Sequence, residues 1–256
     1  MISAQRRALI LEYLRREGAG SITRLSETVG VSASTIRRDL EALTQSGHLE
    51  RSHGGAVLKE RLQTTFETAR EIVVHVAHDA KMKIGARAAT LLEPGQSVIF
   101  DSSSTVLEAA KAAVRRDFKL TACTNDLGIA NVLARAPEFH LVVLGGTIRQ
   151  GSPTMVGDPG LSFLDRLHAD IAYIGIHSLA GGRLSETSID VAAMKRRMVD
   201  SAAHVVVLAD SSKFKHPAFC DVCGIAEVRT IITDTGIASA DHDKLKDAGI
   251  EVIVAK

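Results

Sequence analysis

Seven short runs of apolar and β-branched residues recur along this 256-residue chain from residue 97 onward, and helical patterns separate most of them. Continuous apolar strands that alternate with helices predict an α/β fold with a mainly parallel sheet covered on both faces, because such strands leave no side for water. The predicted strands are Ser97–Asp101, Lys119–Thr124, His140–Leu144, Ile171–Ile176, Val205–Ala209, Thr230–Thr233 and Ile250–Val254, and the predicted helices are Val106–Val114, Leu127–Ala134, Ala192–Ala203 and Ala238–Ala248.

Polar or glycine-rich loops follow four of these strands, at the sheet edge where parallel α/β folds bind their ligands. One such loop would be explained by helix capping alone. Four loops that combine hydroxyls, carboxylates, an amide and cations favour a small phosphorylated polyol, because cations and helix N-termini hold phosphate while carboxylates and amides hold hydroxyls. The candidate residues are Asp101, Ser102, Ser103, Ser104 and Thr105, then Asn125 and Asp126, then Gly145, Gly146 and Arg149, and finally Asp210, Ser211, Ser212 and Lys213.

The first 58 residues follow another pattern, in which short capped helices are separated by glycine turns. A first helix, a second helix over Ile22–Val29 and a third helix that follows a tight turn are predicted, which is the helix-turn-helix arrangement. The residues that carry the pattern are Ala8, Leu9, Leu11 and Leu14, the stop at Gly18-Ala19-Gly20, the caps Ser21 or Thr23 and Ser32 or Ser34, and the turns at Gly30 and Gly47.

The third helix has one apolar face and one face of hydroxyl and guanidinium groups, the side chains that bond phosphates and base edges in a major groove. For two arginines alone a solvated helix face would be the usual explanation. Here a hairpin with basic residues follows, turning at Gly54-Gly55, so a winged DNA-binding domain is favoured. The apolar face contains Ile36, Leu40 and Leu43, the polar face Ser34, Thr35, Arg37 and Arg38, and the hairpin Leu49, Arg51, His53, Ala56, Val57 and Leu58.

The run STIRRDLEAL and the following ERSHGGAVL resemble the DeoR family of bacterial transcriptional regulators, and DSSST, TNDLGIA, GGTIRQ, VGDPG and ADSSKF extend the resemblance over nearly the whole chain. The resemblance implies a winged helix-turn-helix domain and an effector domain with the fold of ribose-5-phosphate isomerase and glucosamine-phosphate deaminase. It also implies DNA contacts by Ser32, Ser34, Thr35, Arg37, Arg38, Arg51 and His53. The implied effector site contains Asp101, Ser103, Ser104, Thr105, Asn125, Gly145, Gly146, Arg149, Gly157, Lys195, Asp210 and Lys213.

One segment departs from the family pattern, which has a G-L-T element and then an acidic residue ahead of a lysine. Lys195 is retained, but Val191 or Ala193 stands where the acid is common, and Ser185 and Glu186 stand near the threonine. The resemblance therefore implies the class of effector, a phosphorylated sugar, more firmly than its identity.

These patterns divide the chain into a DNA-binding domain at 1–58, a linker at 59–66 and an effector and oligomerisation domain at 67–256. A long helix is expected from Glu67 to Leu92. The net charge is +3 over residues 1–61 and −2 over the remainder, which together give the total of +1. Because this basic bias is modest, affinity for DNA is expected to need two copies, in a homo-oligomeric dimer or tetramer. Asp39 is expected to orient the neighbouring arginines.

Other classes of protein fit the sequence less well. Apolar runs long enough for a bilayer and a signal peptide are both lacking, which predicts a cytoplasmic protein. Neither a cofactor nor a metal is expected, because Cys220-x-x-Cys223 with His216 lacks a fourth zinc ligand. The rival function is a sugar-phosphate isomerase or deaminase using Asp101, Asp210 and Lys213, although no histidine or glutamate accompanies them. Residue patterns do not separate activator from repressor, and only the resemblance favours a repressor of carbohydrate-metabolism genes.

Overall fold

The computed structural model describes residues 1–58, 64–65 and 67–256, which form two compact units, Met1–His78 and Asp79–Lys256. Each unit has its own hydrophobic core. The linker predicted at 59–66 falls on residues 59–63 and 66, outside the described part of the chain, and on the described residues 64–65.

The first unit confirms the winged helix-turn-helix. It contains α1 (Ser3–Glu17), β1 (Ala19–Ser21), α2 (Ile22–Val29), α3 (Ala33–Gln45), β2 (Leu49–Ser52), β3 (Gly55–Leu58) and α4 (Arg70–Val73). The second helix has the predicted bounds, and Ser21 caps it by accepting a hydrogen bond from the Arg24 N–H. In α1 the exposed apolar residue is Leu9, and Ile10 lies in the core instead.

A third strand completes the wing, which the sequence pattern did not predict. Residues 18–20 were expected only to stop the first helix, but β1 pairs with β3 in an antiparallel sheet of order β1-β3-β2. The approach is close, because a Cβ on Gly55 would lie 2.2 Å from the Gly20 carbonyl oxygen. The third helix ends at Gln45, and Gly47 (φ +72°) lets the His48 N–H reach the Leu43 carbonyl.

The single long helix expected over 67–92 is wrong. The chain forms α4 and then α5 (His78–Ala89), with a turn between them in which Ala77 has φ +51°. The apolar residues of this segment are buried, as the pattern predicted, but in two different cores. Ile72 and Val76 pack in the core of the first unit, whereas Ile84 packs in the core of the second.

The second unit is built on a seven-stranded parallel sheet of order β15-β14-β12-β9-β4-β5-β6. These are the seven strands predicted from the sequence, so the α/β class is confirmed. The elements are β4 (Ser97–Phe100), α6 (Ser104–Ala113), β5 (Leu120–Thr124), α7 (Leu127–Leu133), β6 (Phe139–Val143), β7 (Thr147–Ile148), β8 (Met155–Val156), α8 (Gly160–Leu164), β9 (Ala169–Ile174), β10 (Ser178–Ala180), β11 (Arg183–Glu186), α9 (Ile189–Asp200), β12 (Ala202–Leu208), β13 (Cys220–Gly224), β14 (Thr230–Asp234), α10 (Ser239–Asp247) and β15 (Glu251–Ala255).

The strand order reverses direction between β4 and β9. The chain runs from β4 through β5 to β6 on one side, then returns to place β9 beside β4 and continues through β12, β14 and β15 on the other. In an open parallel sheet this switch point creates a crevice at the carboxyl ends of the two strands. The predicted polar loops lie at this edge.

Short antiparallel strands were missed by the sequence patterns. They form the β7–β8 hairpin and a small sheet of order β10-β11-β13. Cys220 and Cys223 lie on β13 on either side of a register shift in its pairing with β11, and both pack against the same hydrophobic core. Both thiols are free, and burial raises the pKa of Cys223 to about 11. Within the described ranges, no helix is long and apolar enough to cross a bilayer.

Candidate functional site

The start of α3 presents hydroxyl and guanidinium groups to solvent. Ser32 caps the helix, its Oγ accepting a hydrogen bond from the Thr35 N–H at 3.3 Å and lying 2.9 Å from the Ser34 Oγ. Arg37 and Arg38 are exposed. Because the apolar residues of α3 are fully buried in the opposite direction, this helix can offer its polar face to a ligand without unfolding.

Asp39 fastens α3 to α1, which corrects the expectation that it orients its neighbouring arginines. Its carboxylate is buried and accepts hydrogen bonds from the Arg6 Nε at 2.8 Å and the Arg7 Nε at 3.2 Å. The carboxylate is therefore directed into the unit rather than toward Arg37 and Arg38. This contact fixes the angle of α3.

The wing lies beside α3, and both of its predicted contact residues are exposed. The Arg51 Nη1 donates to the Arg37 carbonyl at 3.5 Å, and His53 lies in the turn between β2 and β3. A shallow cavity of about 380 Å³ lies between this turn and the start of α2, and its lining residues include Arg24 and His53. Arg24 was not singled out in the sequence, because one arginine on a short helix carries no pattern.

Asp101 joins the ends of β4 and β9 at the switch point of the second unit. It is fully buried, its Oδ1 accepting a hydrogen bond from the Ser103 N–H at 2.7 Å and its Oδ2 one from the Gly175 N–H at 2.8 Å. Ser103 in turn caps α6 by accepting from the Val106 N–H. The DSSST loop is thus held by its own aspartate, with Ser102, Ser104 and Thr105 also buried.

We expect Gly175→Ala to distort this junction, because its Cβ would lie 2.0 Å from the Ser103 Oγ. Overpacking of this kind costs about 1–3 kcal/mol, to be measured as the free energy of unfolding in urea. Gly224→Ala is the matched control, since Gly224 has φ −80° and its Cβ would meet nothing nearer than 3.8 Å. Equal stability of the two variants would contradict the close approach.

Lys195 on α9 is a buried cation between two carboxylates. Its Nζ lies 2.6 Å from the Gly175 carbonyl oxygen, 2.5 Å from the Glu186 Oε1 and 3.2 Å from the Asp101 Oδ2. Burial alone would lower the pKa of the ammonium, but the charges of Asp101 and Glu186 outweigh it and raise the pKa. Its three hydrogens are matched by these three acceptors. Lys195 therefore orients Asp101.

Glu186 provides the carboxylate beside Lys195, although the positions just before the lysine, where the family pattern has an acidic residue, are apolar. It lies on β11, nine residues before the lysine, and reaches the same ammonium through space rather than from the preceding turn of α9. The sequence placed Glu186 near the family threonine, but nothing in the spacing predicted this pairing.

A second group of charges lies at the end of β12. The Oδ1 of Asp210, which is buried, accepts hydrogen bonds from the Ser212 N–H and Oγ. Burial alone would raise the pKa of Asp210, but the charges of Lys213 and Lys81 and the bonds from Ser212 lower it. Lys213 is half-buried. Lys81 was missed, since a lysine in a helical pattern is expected at the surface.

On the other side of the switch point, Asn125 holds the β7–β8 hairpin. Its Nδ2 donates to the Met155 carbonyl at 2.8 Å, while its buried Oδ1 has no hydrogen-bond partner among the described residues. Asp126 caps α7 by accepting from the Ile129 N–H. Gly146 is required by the hairpin, because a Cβ there would lie 2.6 Å from the Val156 carbonyl oxygen.

The predicted residues all lie along one edge but span five neighbouring strands, from β12 to β6. At about 4.8 Å per strand the row is about 19 Å long. Asp101, Ser103 and Lys195 form its connected centre. Arg149, half-buried in the hairpin, and Gly157, which follows β8 with φ +76°, belong to the β6 side, whereas Asp210 and Lys213 belong to the β12 side.

Residues 6–70 match the family model of the DeoR-like helix-turn-helix domain, and residues 76–235 match that of the DeoR C terminal sensor domain. A putative aga operon transcriptional repressor from Escherichia coli O157:H7 is 32% identical, over 98% of this chain and 94% of its own. The HTH-type transcriptional regulator GlpR of Haloferax volcanii is 32% identical over 99% and 98%, and the glycerol-3-phosphate regulon repressor of Escherichia coli K12 is 29% identical over 91% and 92%.

Two solved structures also show similarity to the chain. Ribose 5-phosphate isomerase A from Methanocaldococcus jannaschii covers 54% of this chain and 55% of its own, with 18% identity and a TM-score of 0.42. The eIF2B beta of Chaetomium thermophilum covers 98% and 72%, with 15% identity and a TM-score of 0.45.

Proposed function

The chain belongs to the DeoR family of transcriptional regulators, and from this membership we propose that it is a repressor of carbohydrate-metabolism genes which a phosphorylated sugar releases from its operator. The observation that carries the proposal is that one chain combines an exposed arginine face on a capped helix with polar loops at the switch point of a parallel sheet. The names of the relatives support it, since they refer to the aga operon and the glycerol-3-phosphate regulon.

In this proposal α3 enters the major groove of the operator. Arg37 and Arg38 read base edges or bind phosphates, because a guanidinium matches the acceptors of guanine and of phosphate. Ser32, Ser34 and Thr35 bind the DNA backbone near the helix start, and Arg51 and His53 bind beside them on the wing. Because each head offers few cations, we infer that a dimer or tetramer in the cytoplasm places two heads on repeated half-sites.

The effector is proposed to lie along the crevice, in contact with groups that the protein has not already satisfied. Asp101 and Lys195 are already bonded to protein groups, which are Ser103, Gly175, Glu186 and each other, so they shape the site. The orphaned Asn125 Oδ1 is suited to accept a hydrogen bond from a sugar hydroxyl, because a buried acceptor without a partner is costly. Lys213 supplies a cation for phosphate.

Release then follows from linkage between the two sites. An effector can weaken DNA binding only if it binds the DNA-incompetent arrangement more tightly than the competent one. The same coupling free energy must make the operator weaken effector binding by an equal factor.

Fluorescence anisotropy of labelled DNA from upstream of the chain's own gene tests both parts of the proposal, DNA binding and release by an effector. We expect binding that a phosphorylated sugar weakens and its parent sugar does not. Binding that no compound of a pentose, hexose and triose phosphate panel changes would contradict the effector half. Failure to bind any genomic fragment at low salt would contradict the DNA-binding half.

Lys213→Ala is expected to raise the concentration of sugar phosphate needed for release by about 10- to 150-fold, the equivalent of one charge-assisted hydrogen bond of about 1.5–3 kcal/mol. Arg149→Ala should have a smaller effect, because the two cations lie toward opposite ends of a row of about 19 Å. Operator affinity without effector should be unchanged in both variants. Lys244→Ala on α10, whose side chain is 77% exposed, is the control.

If release were unaltered by both Lys213→Ala and Arg149→Ala, the phosphate would have to bind elsewhere. The rival function, a sugar-phosphate isomerase or deaminase, is disfavoured because the family and the similar full-length relatives are regulators. Turnover assays on the same panel should therefore detect no product.

A further inference from the structure

The α5 helix contains a lysine where a charged side chain is rarely found. Lys81 is 2% exposed and is among the largest fully buried side chains of the described residues. A buried ammonium must be paired, because leaving its charge without compensation in the interior is strongly unfavourable. One compensating charge is Asp210, whose carboxyl pKa is lowered by Lys213 and Lys81 despite burial. A residue of α5 therefore acts on the β12 end of the crevice.

The body of α5 is locked to the elements that form the centre of the crevice. A Cβ on Gly85 would lie 2.5 Å from the backbone carbon of Glu108, so α5 and α6 meet backbone to backbone. The Tyr173 hydroxyl, at the core of β9, donates to the Ala88 carbonyl at 2.6 Å. The middle and end of α5 cannot shift without disturbing α6 and β9. Its first turn, which includes Lys81, lies before these anchors.

The residue that precedes α5 is held by the DNA-binding unit. The Ala77 N–H donates to the Glu12 carboxylate on α1, and Val76 is buried in the core of that unit. The boundary between the two units follows His78. From Ala77 to Lys81 is four residues, about one helical turn. Within one turn the chain passes from the DNA-binding unit to the crevice.

We propose that Lys81 transmits effector binding to the DNA-binding unit. An anionic effector at the β12 end repels the Asp210 carboxylate and so changes its pairing with Lys81, and the first turn of α5 takes a different position when the effector is bound. This change reaches Ala77, where the backbone is held by Glu12. Lys81 is a positioning residue in this scheme, and the proposal rests on the proposed function.

The test measures the coupling factor, which is the ratio of operator dissociation constants with and without a saturating sugar phosphate. The probe is the phosphorylated sugar with the largest effect on the wild-type chain, and a thermal shift of the DNA-free protein verifies saturation for each variant. We expect a wild-type factor of about 5- to 150-fold that falls to about 1 in Lys81→Met. Lys83→Met, which removes an exposed charge from the same helix, should retain the wild-type factor.

Several outcomes would overturn the proposal. A Lys81→Met chain that saturates and keeps its coupling factor would show that the lysine transmits nothing, and one that no longer binds the probe would identify Lys81 as a ligand contact instead. Coupling that is absent in the wild-type chain would overturn the proposed function together with this inference. Hydrogen exchange of the wild-type chain needs no variant: unchanged protection of residues 77–84 on addition of the probe would contradict the transmission.

Discussion

Replacing Arg37 and Arg38 together by alanine is expected to abolish operator binding while leaving sugar-phosphate binding unchanged. Both guanidinium groups are exposed beside the capped start of α3. Removal of an arginine that reads a base costs about 1–3 kcal/mol, so the pair should cost about 2–6 kcal/mol and weaken binding by about 30-fold or more. The fold should persist, because the core side of α3 is untouched.

The measurement is anisotropy of labelled operator DNA at fixed salt, accompanied by a thermal shift with the sugar phosphate. Because any loss of two positive charges weakens DNA binding somewhat, the control must lose the same charge. Arg135→Ala/Arg166→Ala removes two exposed arginines from the second unit and should bind operator nearly as the wild-type chain does. Operator affinity within twofold of wild type in the α3 variant would refute the assignment of α3 as the recognition helix.

The single variants separate the two ways in which an arginine can contribute. If Arg37 or Arg38 reads a base, its replacement should relax sequence preference at one operator position. If it binds phosphate, its replacement should weaken binding to all sequences alike and reduce the salt slope by about 1.

The sheet could be predicted from sequence because its strands are buried on both faces. Runs such as Val205–Ala209 are apolar throughout. A buried parallel strand of this kind can be recognised from its own residues, without knowing which strand pairs with it. The short strands lack that signal. β1 has only three residues and no apolar run, and it is a strand because it pairs with β3. Gly20 and Gly55 indicate only that two backbones meet there.

The single helix predicted over 67–92 was wrong for the same reason that the strands were predicted correctly. Apolar periodicity reports which residues are buried but not in which core, so Ile72 and Ile84 looked like one stripe on one helix. Only the turn at Ala77 separates them, and alanine carries no signal for a break.

The crevice was predictable in part, because parallel strands bring their carboxyl ends to one edge wherever they lie in the sequence. Asp101 and Asp210 were found by that rule. Gly175, Glu186 and Lys81 were not found, since each interacts with residues that are far away in the sequence. The sequence does not distinguish a buried lysine from an exposed one, and only the fold does.

The largest loss of stability in the second unit is expected from the replacement of a residue that need not touch the effector. Lys195→Met should reduce the free energy of unfolding by about 3–5 kcal/mol, because it leaves two buried carboxylates without their shared cation. Methionine conserves most of the volume, so the loss reports charge rather than a cavity. Lys244→Met on α10 is the control, since the side chains of Lys244 and its partner Asp241 are 77% and 35% exposed, and exposed ion pairs contribute about 0–1 kcal/mol.

The measurement can be confined to the second unit, because the chain has two tyrosines and no tryptophan, one tyrosine in each unit. In a Tyr13→Phe background, tyrosine fluorescence during urea unfolding reports Tyr173 alone. Since the pKa of Lys195 is raised in the folded state, its contribution is fully present below the unfolded lysine value of about 10.4 and declines only as pH rises through the higher folded value. The titration of Lys195 itself should therefore remove no stability from the wild-type chain between pH 6 and pH 8. A loss below 1 kcal/mol, or one equal to that of Lys244→Met, would mean that the buried triad of Lys195, Asp101 and Glu186 does not hold this edge of the sheet together.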